Sequence, residues 1–116
     1  MRPHKKLEVW EKAIEFVTKI YRITEKYPDS EKFGLISQIR RTAISIPSNI
    51  AEGAARTGKK EFTQFLSIAQ GSTSELETQL IISNNLGFLR NENMYLLNDL
   101  DEISRMIIGL IKTLKR

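Results

Sequence analysis

Apolar residues recur along this chain in steps of three and four, and no segment alternates with a period of two. Between 7 and about 26 they fall at Trp10, Ala13, Ile14, Val17, Ile20 and Tyr21, with Tyr27 just beyond. That spacing lines one side of an amphipathic helix. Tyr27-Pro28-Asp29-Ser30 is the stop: proline ends the helix, and Asp29 or Ser30 can cap the next. A second stripe, Leu35, Ile36, Ile39, Ala43, Ile46, Ile50 and Ala54, predicts a helix over 31–56 with Pro47 inside it. A proline there removes the bond to the Ala43 carbonyl. The stripe keeps its phase across Pro47, which favours one kinked helix over two shorter ones. Gly58 is expected in the left-handed position after this helix, with Thr57 able to cap the third helix.

The third stripe is the cleanest. Phe62, Leu66, Ala69, Thr73, Leu76 and Leu80 form a heptad seam and predict a helix over 59–86, ended by Asn85-Leu86-Gly87. Asn91 or Asn93 can open the last helix, 92–115, which carries Leu97, Leu100, Ile103, Ile107, Leu110, Ile111 and Leu114. The connections are a few residues each, so sequential helices should be antiparallel neighbours. The expected fold is all-α: one domain over 1–116, an up-down-up-down four-helix bundle with helix two kinked at Pro47.

Composition narrows the chemistry. The chain has 116 residues, 41% hydrophobic and 28% charged, an ordinary mix for one folded domain. It has no cysteine and one histidine, His4, near the start. Thiol catalysis, disulfides, cysteine zinc sites and the Glu-x-x-His pairs of di-iron bundles are therefore excluded. No cofactor or metal is expected. The basic opening runs into Leu7-Glu8-Val9-Trp10-Glu11-Lys12 rather than an apolar stretch, and nothing approaches the roughly 20 apolar residues of a membrane span. A cytoplasmic protein with no membrane partner is the expectation.

Three polar features invite a functional reading. Ser67, Gly71, Ser74 and Thr78 step along one side of helix three, where Gly71 costs roughly 1 kcal/mol against alanine. Close approach of a neighbouring helix would compensate, and a ligand groove is the alternative. Arg41, Ser45, Ser48 or Asn49, Glu52 and Arg56 draw a polar line along helix two, facing Glu75 and Glu77 of helix three. Carboxylates so placed could do acid–base work. With no histidine, cysteine or metal partner, a structural network of Arg41, Glu52 and Glu75 is the better reading, and the protein is expected not to be an enzyme.

The third feature is charge. The net charge is +4. In an up-down-up-down bundle, residues 1–8, 54–61 and 110–116 would meet at one end. They hold Arg2, Lys5, Lys6, Arg56, Lys59, Lys60, Lys112, Lys115 and Arg116 against Glu8 and Glu61, a net +7 that leaves −3 elsewhere. Lys59 and Lys60 stand in the first turn of helix three, where the macrodipole disfavours cations and free amides would welcome an anion. One reading is phosphate contact with RNA or DNA; the other is a solvated surface with two basic chain ends. Few aromatics stand in these windows, so binding there would depend on the backbone more than on the bases. Finally, Val9, Phe16 and Ile23 widen the stripe of helix one, and Leu96, Met106 and Ile108 that of helix four. A homo-oligomer is favoured over a thicker core.

Long strings of the chain resemble the bacterial four helix bundle protein family, some of whose members are encoded by intervening sequences within large-subunit rRNA genes. The strings are Leu7-Glu8-Val9-Trp10 with Ala13, Tyr27-Pro28, Gly34-Leu35-Ile36-Ser37-Gln38-Ile39-Arg40-Arg41, and Ser45-Ile46-Pro47-Ser48-Asn49-Ile50-Ala51-Glu52-Gly53. Phe65-Leu66-Ser67-Ile68-Ala69-Gln70-Gly71-Ser72 and Glu75-Leu76-Glu77-Thr78-Gln79-Leu80 complete them. The resemblance implies a helical bundle and a homopentameric ring. The chain is also similar to the accessory protein of diversity-generating retroelements, which implies RNA or DNA, a reverse transcriptase or another protein as partner. Fold carries over from such a likeness more safely than function. A protein–protein scaffold with no nucleic-acid binding is the alternative.

Overall fold

The heptad seam of the third segment is the centre of the molecule: Leu66, Ala69, Leu76 and Leu80 are fully buried, and Thr73 nearly so. In the computed structural model, residues 2–116 are described, Lys6 by its backbone alone. They form four α-helices: α1 (Glu8–Thr24), α2 (Leu35–Ala54), α3 (Lys59–Asn85) and α4 (Tyr95–Leu114). There is no strand among the described residues. Helix α2 packs on α1 and α3, and α4 on α3 and α1, which closes a four-helix bundle of 44 × 22 × 20 Å. A helix of 27 residues is roughly 40 Å long, so α3 spans the long axis and organises the rest.

The helix ends differ from the sequence expectation for identifiable reasons. Asp29–Glu31 and Asn91–Asn93 are separate 3-10 turns, so α2 begins at Leu35 and α4 at Tyr95. No side-chain cap of the Ser, Thr, Asp or Asn type forms at any of the four α-helices. At α2 the carboxylate of Glu31 accepts from the Leu35 amide at 3.4 Å instead. Gly58 is extended (φ −112°), not left-handed, and serves as the residue before α3. The left-handed glycine is Gly87 (φ +81°). Around it the Phe88 amide donates to the Ser83 carbonyl and the Gly87 amide to that of Asn84. That pairing is the Schellman closure of a helix end. Helix α2 runs unbroken through Pro47, whose ring is buried.

The apolar surplus read on helices one and four lies in the core. Val9, Phe16 and Leu96 are buried, and Ile23 and Met106 pack against the core. Ile108 alone of that set is exposed. The exposed large apolar side chains stand elsewhere, at Ile14, Phe33 and Ile44, and along α3 at Ile68, Ile81, Ile82 and Leu86.

The close helix approach expected at Gly71 occurs at Gly53. A Cβ on Gly53 would lie 2.7 Å from the Phe65 Cβ and 3.0 Å from a Phe62 ring carbon. Gly71 is exposed, and a Cβ there would meet nothing within 4 Å. The two glycines should respond oppositely to alanine. Gly53→Ala forces two α3 aromatics aside and is expected to destabilise by about 1–3 kcal/mol. Gly71→Ala relieves a helix-interior glycine and should stabilise by about 0.5–1 kcal/mol. Urea unfolding of both variants checks this, and a neutral Gly53→Ala would remove the close-approach argument.

Burial pushes the Tyr27 phenol above its ordinary value, with Ser83 acting weakly in the opposite sense. The folded state therefore keeps its proton at a pH where the unfolded chain begins to lose it. The linked stability is complete below the unfolded value near 10 and falls as pH rises beyond it. Unfolding measured from pH 8 to 11 should show stability declining at the alkaline end, and Tyr27→Phe should flatten that decline.

Candidate nucleic-acid interface

Helix α3 starts without a side-chain cap, on an extended glycine. Its first backbone bond runs from the Phe62 amide to the Gly58 carbonyl, so the amides of Lys59, Lys60 and Glu61 precede the hydrogen-bonded ladder. At this point the last turn of α4 comes alongside. Lys59, Lys60, Thr63 and Gln64 of α3 line an open groove of about 360 Å3 with Leu114 and Lys115. Three exposed ammonium groups thus share a groove with the positive end of a helix dipole. Such an arrangement repels itself unless an anion is near.

Only part of the expected basic cluster is gathered here. Lys59, Lys60 and Lys115 line the groove, while Lys112 and Arg116 are exposed nearby in sequence without lining it. Arg2 and Lys5 are exposed on the first turn, Pro3–Lys6, which packs on α2 and α1 with His4 edge-on to Trp10 at 4.8 Å. The side chain of Lys6 lies outside the described residues. Arg56 is engaged by acids: it meets Glu52 at 3.1 Å and Glu61 at 3.9 Å, and stacks 5.1 Å from the Phe65 ring centre. All three charged groups are half-exposed, so these pairs add little stability. They do offset the Arg56 charge and tie the end of α2 to the start of α3.

The expected network of Arg41, Glu52 and Glu75 does not assemble, because the three residues point to different neighbours. Glu52 pairs with Arg56 as above. Glu75 accepts from the Thr42 hydroxyl at 2.8 Å, and that hydroxyl accepts from the Gln79 amide at 3.1 Å. One turn along, the Ser45 and Ser72 hydroxyls meet at 2.7 Å. A hydroxyl–amide ladder therefore does the work assigned to an arginine, since short side chains fit between closely packed helices where a guanidinium does not. Arg41 instead lines an open groove of about 490 Å3 between α1 and α2, with Tyr21, Lys32, Phe33 and Arg40. The sequence reading missed this groove. Its signal was the basic pair Arg40-Arg41 two turns beyond Lys32-Phe33, hidden because Phe33 reads as one more core residue.

Elsewhere, charge is used for packing. Lys12 meets Glu102 at 2.9 Å and Lys19 meets Asp99 at 3.3 Å across α1 and α4. The Glu102 hydrogen bond and charge raise the Lys12 pKa, and Lys12 lowers that of Glu102 in return. Among the described residues no group of three His, Asp or Glu side chains could hold a metal ion, and no helix is long and apolar enough to cross a membrane.

An all-α bundle with hydroxyl-lined helix contacts and a lysine-lined groove is thus the class of protein that fold and site define. Residues 5–109 match the family described as 23S rRNA-intervening sequence protein. The chain belongs to that family. A solved protein of unknown function from the S23 ribosomal protein family of Bacteroides thetaiotaomicron VPI-5482 is similar, at 28% identity and a TM-score of 0.82. The likeness covers 90% of this chain and 95% of that one. No curated protein matches. Neither description is of an enzyme.

Proposed function

We propose that this protein is a non-enzymatic, self-associating bundle that holds RNA or DNA by the phosphate backbone at its lysine-lined end. The observation that carries this reading is the convergence of Lys59, Lys60 and Lys115 on the uncapped start of α3. A phosphate there would gain three cations and the first amides of a helix, and would relieve their mutual repulsion. Glu52, Glu75 and Arg41, the residues that could have served acid–base chemistry, share no cleft among the described residues. Self-association is supported by Ile68 and Ile82, which lie two heptads apart on one face of α3 with the unfilled Gly71 between them.

Fluorescent single- and double-stranded RNA and DNA, titrated at low and physiological salt, test the first part. Wild type should bind with an affinity that falls steeply with salt. Lys59→Glu with Lys60→Glu and Lys115→Glu should abolish most binding, because each lost phosphate contact reduces the log–log salt slope by roughly 0.7–0.9. Absence of binding at low salt would overturn the reading and leave a protein scaffold.

Light scattering tests the second part. The mass should exceed that of one chain severalfold, a ring of five being what the family resemblance implies, and Ile68→Glu with Ile82→Glu should lower it. A monomer at micromolar concentration would reject self-association.

A further inference from the structure

We propose that the groove between α1 and the start of α2 is a second nucleic-acid site, one that stacks bases of a single strand. Phe33 is 91% exposed, the most exposed of the large apolar side chains. It stands in the link between the 3-10 turn Asp29–Glu31 and α2, at the mouth of the groove. Ile36 and Ile44 contribute apolar surface and Tyr21 a second ring. The Arg40 guanidinium lies 4.4 Å from the centre of the Tyr21 ring. It is held there by hydrogen bonds to the Thr24 hydroxyl at 2.9 Å and the Tyr21 carbonyl at 3.1 Å. Lys32 lies 5.7 Å from the centre of the Phe33 ring. Arg41 completes the rim, exposed and in no ion pair among the described residues.

The charge of this groove selects its occupant. Lys32, Arg40 and Arg41 line it, and no carboxylate does. An occupant must combine flat apolar surface with negative charge, and an unpaired nucleotide strand has both. Aromatic platforms beside a cationic rim are the general means of holding single strands, because every base has a π-face. A duplex keeps its bases stacked inside and offers Phe33 nothing to stack on. A second copy docked face to face would set three cations against three more. The groove volume of about 490 Å3 falls within the usual range for small-ligand sites.

This proposal rests on the reading of the protein as a nucleic-acid binder but uses different residues from the lysine-lined end. Its test uses the full chain with four probes: an unstructured oligonucleotide, an abasic strand of the same length, a duplex, and polyglutamate as competitor. Wild type should bind the base-containing strand more tightly than the abasic one. Phe33→Ala should weaken single-strand binding about tenfold and erase that preference, while duplex binding stays unchanged. Phe33→Trp should preserve the preference and report contact by fluorescence quenching. Thermal melting of both variants should match wild type, since the side chain is exposed.

If only the Lys59, Lys60 and Lys115 reversal weakens binding, the groove proposal is overturned while the nucleic-acid reading stands. If no probe binds at low salt, both fall. Loss of mass by light scattering in Phe33→Ala would identify a second copy as the occupant. Displacement of the strand by polyglutamate as readily as by unlabelled strand would identify an acidic peptide. Either result rejects base stacking here.

Discussion

The structure depends on how closely α2 and α3 approach. Gly53 sits against Phe62 and Phe65, where a single added carbon would lie 2.7 Å from its neighbour. Two turns before it, Ser45 and Ser72 join hydroxyl to hydroxyl, and Thr42 links Glu75 to Gln79. Long or charged side chains between the helices would hold them apart. The small ones permit contact and supply partners for polar groups that would otherwise be buried unpaired. Helix α3 is thereby fixed in register on α2, and the other two helices pack on this pair.

That constraint distributes the remaining chemistry. With its inner side committed to the α2 contact and the seam, α3 turns Ser67, Gly71, Ser74 and Thr78 outward. Its uncapped start is left at the end where the last turn of α4 arrives, so lysines distant in sequence share one groove. Arg56 does not join them, because Glu52 and Glu61 flank it at the junction of the two helices. At the start of α2, Arg40 is drawn onto Tyr21 and Thr24 of α1. Arg41, one residue on and about 100° around the helix, is left on the rim of the other groove.

The helices are legible in the sequence because their stripes keep a helical period over long runs, and burial keeps the same period. Leu66, Ala69, Thr73, Leu76 and Leu80 need nothing beyond their spacing. The ends are less legible. Gly58 and Gly87 look alike as punctuation, yet only Gly87 adopts the left-handed conformation, because the Schellman bonds to Ser83 and Asn84 form there. The glycines inside helices mislead for a similar reason. Gly71 lies among small residues and suggests close packing, whereas Gly53 contacts two aromatics that are near it only in the folded chain. Periodicity gives the face of a helix, but not which neighbour that face meets.

Summing charge by sequence windows gathers the residues of one end and misses the other. Lys32, Arg40 and Arg41 belong to the part of the chain whose sum is negative, and their acidic neighbours in sequence hide them. Folding separates the signs: acids on α4 are taken up by Lys12 and Lys19 of α1, and Glu75 turns to Thr42. The groove at Phe33 is then lined by cations alone. A residue so exposed and so apolar gains nothing from the fold that displays it. Hydrophobic burial within the chain cannot explain its presence among three cations; a ligand with flat, apolar and anionic parts can.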